Sequence, residues 1–244
     1  MRVTGVDACR SGWVAVTLES SDRAGLPRLA FPRLASVRRH ESLAGVLGQA
    51  TDGAGMVVGL APEGAGMVVG VDMPLGLLES GWRQADQAAR GLLGPRRSSV
   101  FAIPPRAVWA QDSYPAANQR CRELTGQGFS VQAWGLRAKL LEANRYRQEC
   151  GHPLYEVHPE LAFAAMAGAP LAHSKHTAAG LEVRRELIAG AGIALPAARV
   201  APVADTLDAA AVAWSAWRIA TGQAVILPDQ PQRDSQGVQI AIRY

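Results

Sequence analysis

Two short apolar runs that each end in an aspartate constrain the fold of this chain most strongly. Residues 2–6 (RVTGV) lead into Asp7, and residues 67–71 (MVVGV) lead into Asp72. Runs of this length and composition predict buried strands. Open α/β sheets place their sites beyond the carboxyl ends of central strands. We therefore expect Asp7 and Asp72 to face one site, where carboxylates on neighbouring strands can share a divalent metal ion.

A third acidic pair opens the longest apolar segment near the C-terminus, which predicts a helix over about residues 205–220. Asp205 and Asp208 are three residues apart, so they lie on one face of that helix. Asp205 suits a helix N-terminus, where it caps free amides and complements the dipole. Asp208 lies one turn further in, among alanines and a leucine, and needs a ligand or a cationic partner. Of the two, Asp208 is the stronger candidate for the site.

A glutamate and a histidine lie at the end of a further predicted strand, residues 154–157. If this strand is central, Glu156 points at the same acidic cluster and requires a cation there, because buried like charges are costly. The alternative is a salt bridge from Glu156 to an arginine at the end of the sheet, and the spacing does not choose between the two. His158 is interpreted first as a residue that holds its loop by hydrogen bonds, and second as a ligand or general acid/base.

Two arginines and two serines form a compact polar loop after the helix predicted over residues 82–93. Arg96, Arg97, Ser98 and Ser99 offer forked cations and hydroxyls that can grip a phosphate. A solvated turn with salt bridges explains the same residues equally well.

The composition describes a globular chain that can bury a large core. Of its 244 residues, 48% are hydrophobic and 19% are charged, and the formal net charge of +4 is compatible with a polyanionic partner. Cys9, Cys121 and Cys150 are too scattered for a disulfide framework or a thiolate zinc site. We expect one domain over residues 1–244, a helical insertion at about 108–151, no signal peptide or membrane-spanning run, and a cytoplasmic location.

The remaining pattern predicts a hairpin at the N-terminus and several helices. An internal repeat, GAGMVVG, occurs at residues 53–59 and 64–70, and its second copy is the expected sheet strand because it leads into Asp72. Further elements are predicted as strands over residues 13–19, 29–34 and 100–103, a short helix after Glu41, and a helix over 131–148.

Five motifs resemble an uncharacterised prokaryotic family of predicted RNase H-like nucleases, domain of unknown function family 429. The motifs span nearly the whole chain: VDACRSGW at 6–13, VDMPLGL at 71–77, RRSSVF at 96–101, EVHPE at 156–160 and DTLDA at 205–209. Three positions depart from the family pattern: Ala8 and Ser11 stand where glycines are usual, and Asn144 stands where an aspartate is expected.

The resemblance implies an α/β RNase H-like fold, with a mixed five-stranded sheet, helices on both faces, and acidic residues from strand one, strand four and a late helix. It implies hydrolysis of phosphodiester bonds by two-metal-ion chemistry with Mg²⁺ or Mn²⁺, and a nucleic acid or another phosphodiester as substrate. Asp7 would bridge the metals, Asp72 and Asp208 would bind one each, and Glu156 or Asp205 would complete the ligands. Catalysis would rest on these same acidic residues, and phosphates would be held by Arg96, Arg97, Ser98, Ser99 and Lys175.

Two other functions stay open at this point. Sugar kinases and actin-like ATPases use related sheets with paired aspartates, although they normally need two such domains and glycine-rich phosphate loops, for which 244 residues leave little room. The carboxylates could also stabilise a non-catalytic binding protein through a bound metal. ATP turnover would indicate the first alternative, and stabilisation by Mg²⁺ without hydrolysis would indicate the second.

Overall fold

The core of the fold is a mixed five-stranded sheet. A computed structural model describes residues 1–20, 32–48, 67–149, 154–197 and 199–244. The strands are β1 (Arg2–Cys9), β2 (Gly12–Ser20), β3 (Pro32–His40), β4 (Val68–Val71) and β5 (Leu154–Glu156), in the order β3-β2-β1-β4-β5. β2 is antiparallel to β1 and β3, whereas β1, β4 and β5 run parallel. This order confirms the predicted RNase H-like class.

Helices connect the parallel strands and follow the last one. Their bounds are α1 (Leu43–Gly48), α2 (Gln84–Leu93), α3 (Arg106–Trp109), α4 (Tyr114–Thr125), α5 (Val131–Gly135), α6 (Arg137–Glu149), α7 (Pro159–Ala167), α8 (Ala178–Gly190) and α9 (Val203–Ala220). A 3-10 turn, Gly94–Ser99, follows α2 directly. Within the described residues, no helix combines the length and apolar character needed to cross a membrane.

Successive side chains of a strand point to opposite faces of the sheet, and both faces of this sheet are buried. On one face, Val3 of β1 joins a core with α7, α8 and α9. On the other face, Val6 joins a core with α1 and the helices between α3 and α6. The predicted helices on both sides are therefore present, and β1 lies between two hydrophobic layers.

The helical segment between β4 and β5 is tied to the sheet by polar contacts. Glu142 of α6 accepts a hydrogen bond from Trp13 Nε1 at 3.0 Å and another from Leu43 N at 2.6 Å. Asn144, one of the departures from the family pattern, accepts from Gly76 N at 2.7 Å and donates to Pro74 O at 2.9 Å. An ionised aspartate could not donate, so the amide suits the turn that follows β4.

One predicted strand is wrong. Residues 100–103 form no strand and pair with no strand among the described residues. Their backbone groups bond to side chains of α2 instead: Val100 O accepts from Arg90 at 2.7 Å, and Ile103 N donates to Asp86 at 2.9 Å. Side chains thus replace the hydrogen bonds of a sheet ladder.

Two other elements differ from the prediction. β3 begins at Pro32, later than the predicted strand over 29–34, and residues 29–31 lie outside the described residues. A two-stranded antiparallel sheet, β6 (Ile226–Arg233) and β7 (Gln239–Arg243), was not predicted. The first copy of the repeat and Cys150 also lie outside the described residues, whereas β4 confirms the second copy as the sheet strand.

Candidate active site

Two glycines let α9 lie directly against the centre of the sheet. Gly5 of β1 and Gly70 of β4 are register partners in the parallel pair. A Cβ atom on Gly5 would lie 2.0 Å from Ala213 N, and one on Gly70 would lie 3.0 Å from Val212 Cγ1. Only glycine permits this approach at Gly5, because no Cβ can come so close to backbone.

The close approach brings four carboxyl groups to the carboxyl edge of the sheet. Asp7 and Asp72 come two residues after Gly5 and Gly70, on the same face of their strands. Asp205 and Asp208 lie in the first turns of α9, before the residues that contact the glycines. Asp72 N also donates to Val6 O at 2.8 Å, which extends the strand pairing up to the aspartates. We call Asp7, Asp72, Asp205 and Asp208 the carboxylate cluster.

The carboxyl groups of the cluster interact electrostatically, and burial together with this interaction raises their pKa values. Burial raises the pKa of Asp7 well above its usual range, and the nearby charges of Asp72 and Asp208 raise it further. Burial also raises the pKa of Asp72 to about 6, against the lowering effect of His158 and of a hydrogen bond with Asp7. Asp7 and Asp208 are only 5% and 1% exposed. The cluster therefore concentrates negative charge that the fold does not fully neutralise.

Lys175 is the cation that compensates part of this charge. Its Nζ bonds to Asp208 Oδ2, and its side chain is 33% exposed. Burial alone would lower the pKa of Lys175, but Asp208, Asp7 and Asp72 raise it above its ordinary value. The second oxygen of Asp208, Oδ1, is buried and has no hydrogen-bond partner among the described residues.

Glu156 lies in a different group of charges. Both of its carboxylate oxygens accept from Arg83 Nη2, at 2.7 and 2.5 Å, and Oε2 also accepts from Leu75 N at 2.7 Å. Arg83 Nε faces Asp86 at 3.5 Å. Of the two interpretations left open by the sequence, this contact matches the salt bridge to an arginine. We call Arg83, Asp86 and Glu156 the arginine network.

The carboxylate cluster opens into a cleft of about 450 Å³. Arg96, Ser98 and Ser99 of the 3-10 turn line it, as does Lys175. Arg96 Nε is buried and has no hydrogen-bond partner among the described residues. Arg97 is exposed and does not line the cleft. The structure thus brings three of the four polar residues of this turn to the same cleft as the aspartates.

Two residues outside the carboxylate cluster and the 3-10 turn also line the cleft. His158 approaches Ser99 O through Nε2 at 3.2 Å, while its buried Nδ1 has no hydrogen-bond partner among the described residues. Glu160 pairs with Arg184 at 2.5 Å, and burial, with a smaller contribution from the charge of Glu160, raises the pKa of Asp208. Both residues belong to the EVHPE motif, which marked this segment as a candidate part of the site. The sequence alone did not say which side chains of the motif face the cleft.

The chemistry of the carboxylate cluster fits a hard divalent cation. Its donors are all carboxylate oxygens, which Mg²⁺ and Mn²⁺ prefer, and the partnerless Asp208 Oδ1 is a buried acceptor in need of a cation or donor. Across the described ranges, no three His, Cys, Asp or Glu side chains converge tightly enough to hold an ion in their present positions. Since Lys175 engages Asp208, a metal would require these side chains to rearrange.

Comparisons with known proteins show the family of this chain and leave its activity open. Strand order and the position of the acidic residues define an RNase H-like domain with a carboxylate-lined cleft. The chain matches the model of the family described as "Protein of unknown function (DUF429)" over residues 5–233, and it belongs to that family. No curated protein matches the sequence.

A solved structure with partial similarity is the Thermus thermophilus RuvC structure. It is 14% identical, with a TM-score of 0.36, over 91% of this chain and 98% of that chain. A TM-score this low carries no argument, and the fold assignment rests on the strand order of the sheet.

Proposed function

We propose that this protein is a divalent-metal-dependent phosphodiester hydrolase that acts on a nucleic acid or a related phosphodiester. One observation carries the proposal: carboxylates of β1 and α9 and the carboxylate directly after β4 meet at the carboxyl edge of the sheet, in a cleft whose wall also presents Arg96. Carboxylates hold metal ions, and a forked guanidinium binds phosphate oxygens. The two together suit an anionic substrate, which a purely acidic cleft would repel.

In this proposal, Asp7, Asp72 and Asp208 hold Mg²⁺ or Mn²⁺, and Asp205 supports them from the first turn of α9. The bound metal supplies an activated water and stabilises the charge that develops on the phosphate. Arg96 orients a phosphate oxygen, since its side chain lines the cleft and is a forked cation. Ser98 lines the same wall. Glu156 is left out of the metal ligands, because Arg83 and Leu75 N already engage both of its oxygens.

The first test is metal-dependent cleavage by the purified protein. Single-stranded and duplex DNA and RNA, an RNA–DNA hybrid, a four-way junction and a small phosphodiester would be incubated with Mg²⁺, Mn²⁺ or EDTA. We expect cleavage that requires the metal and falls by at least about 10³-fold in Asp7→Asn, which removes a ligand charge. Asp112→Asn is the matched control, because Asp112 is exposed and lies outside the cleft. ATP turnover without cleavage of any phosphodiester would contradict the proposal.

The same variant separates a lost ligand from a damaged fold. Because the pKa of Asp7 is raised in the folded protein, its ionised form destabilises the fold near neutral pH. Asp7→Asn should therefore raise the Tm of the metal-free protein by about 2–4 °C, which is what 1 kcal/mol produces in a chain of this size. A loss of activity with a lowered Tm would point to misfolding, and the role of Asp7 would then have to be tested by direct metal binding.

A further inference from the structure

A fixed turn presents Lys175 to the carboxylate cluster. Thr177 caps α8, and its hydroxyl donates to Ser174 O at 2.8 Å. Arg184, held by Glu160, donates to His173 O at 3.1 Å. Contacts on both sides of Lys175 therefore hold its backbone in place.

The same turn packs tightly against α8. A Cβ atom on Gly180 would lie 1.9 Å from Ser174 O, so helix and turn are in direct contact. Lys175 itself is a flexible four-carbon arm on this rigid base, one third exposed to solvent. Its ammonium group can leave the cluster without any movement of the backbone.

The ammonium of Lys175 lies next to the negatively charged groups of the carboxylate cluster. It bonds to Asp208, and both Asp7 and Asp72 favour its charged form. A divalent cation bound to the same carboxylates would neutralise the same negative charge. Lys175 Nζ and a metal at Asp208 Oδ2 would also repel each other in a buried setting, where the repulsion of like charges is weakly screened.

We propose that Lys175 is the internal counter-ion of the carboxylate cluster, and that a divalent metal ion displaces its ammonium from Asp208. This inference rests on the proposed function, since it takes the cluster as the metal site. The two cations are alternative occupants, so each lowers the affinity for the other by the same factor. Once released, the arm lies in the cleft beside the metal ligands, where its charge is free to meet a phosphate. The order of events is then metal first and phosphate second.

The chain offers an unusually direct measurement, because Lys139 and Lys175 are its only lysines. Protein labelled with ¹³C and ¹⁵N in lysine gives two side-chain signal sets, which Lys139→Gln and Lys175→Gln assign. Lys139 is the internal control, since its Nζ lies 4.5 Å from the Trp13 ring centroid. On titration of the wild-type protein with diamagnetic Mg²⁺, the Cε and Nζ signals of Lys175 should move towards free-lysine positions. Those of Lys139 should stay unchanged.

Calorimetry on the same proteins gives the reciprocal measurement. Lys175→Gln should bind Mn²⁺ about tenfold more tightly than wild type, and Lys139→Gln should match wild type. Wild-type protein that binds metal while the Lys175 signals stay in place overturns the displacement and leaves the proposed function standing. Weaker or unchanged metal binding by Lys175→Gln also overturns it. Absence of metal binding in both wild type and Lys175→Gln overturns the proposed function as well.

Discussion

Two groups of buried charge lie at the same end of the sheet, and they are compensated differently. In the arginine network, Arg83 bonds to both oxygens of Glu156, and Asp86 Oδ2 accepts from Ile103 N. In the carboxylate cluster, Asp208 pairs with the partly exposed Lys175, and Asp208 Oδ1 has no hydrogen-bond partner among the described residues.

The difference separates charge that supports the fold from charge that is available to a ligand. The arginine network fixes backbone: Glu156 holds Leu75 N after β4, and Asp86 holds Ile103 N beside the 3-10 turn. Both segments border the cleft, so this network shapes its walls. The carboxylate cluster makes few such bonds. Its carboxyl groups have raised pKa values, and groups with shifted pKa values are typical of binding and catalytic sites.

The largest expected effect comes from removing the cation of the arginine network. Arg83→Met leaves Glu156 and Asp86 buried without their positive partner, and we expect the free energy of unfolding to fall by about 3–5 kcal/mol. Urea denaturation followed by circular dichroism measures it. The direction is opposite to that expected for Asp7→Asn, which removes an unwanted negative charge from the carboxylate cluster.

A double variant checks that charge, and not packing, causes the loss. Arg83→Met with Glu156→Gln removes both ions, and a glutamine oxygen can still accept from Leu75 N. We expect the double variant to recover part of the stability that Arg83→Met loses. Equal destabilisation of the single and the double variant would assign the effect to the lost packing of the arginine, and the contrast between the two regions would then fail.

The pH dependence of stability offers a second test of the arginine network. Burial raises the pKa of Asp86 from 3.8 to about 7, although Arg83 opposes the shift. The folded protein therefore holds a proton that the unfolded chain releases near pH 4. Since the folded state binds more protons over that range, the contribution of Asp86 to stability is lost as pH rises from about 4 to about 7.

Asp86→Asn keeps an acceptor for Ile103 N and removes the titration. We expect its free energy of unfolding to vary less with pH than that of wild type, by on the order of 3 kcal/mol between pH 4 and 7. Urea titrations in EDTA at several pH values measure the two curves, with Asp112→Asn as the exposed control. Parallel curves for wild type and Asp86→Asn would show that Asp86 stays ionised beside Arg83 throughout.

Local patterns predicted the elements that carry the acidic residues. The apolar runs before Asp7 and Asp72 and the long helix with Asp208 were readable because each signal lies within one segment. The strand order came from the resemblance to a family, since periodicity does not say which strands are neighbours. β6 escaped prediction because Pro228 and Pro231 interrupt its strand pattern.

Partners that are distant in sequence could not be predicted from the same patterns. Glu156 is 73 residues from Arg83, and Lys175 is 33 residues from Asp208. The sequence indicated that Glu156 and Asp208 each need a ligand or a positive partner, and in the structure Glu156 pairs with Arg83 and Asp208 with Lys175. It could not say that arginine meets one and lysine the other, because that depends on which segments the sheet brings together.

The smallest expected loss of stability comes from a variant that tests whether the carboxylate cluster depends on the close approach of α9. Gly5→Ala would place a Cβ atom 2.0 Å from Ala213 N, so α9 must move away from β1, at a cost of about 1–3 kcal/mol. Gly91→Ala is the matched control: a Cβ atom there meets nothing within 4 Å, and alanine inside α2 should stabilise by about 0.5–1 kcal/mol. Because α9 carries Asp205 and Asp208, we expect Gly5→Ala to weaken Mg²⁺ binding in calorimetry, while Gly91→Ala binds as wild type. A folded Gly5→Ala protein with wild-type metal affinity would show that the glycine serves packing alone, and that the cluster tolerates a displaced helix.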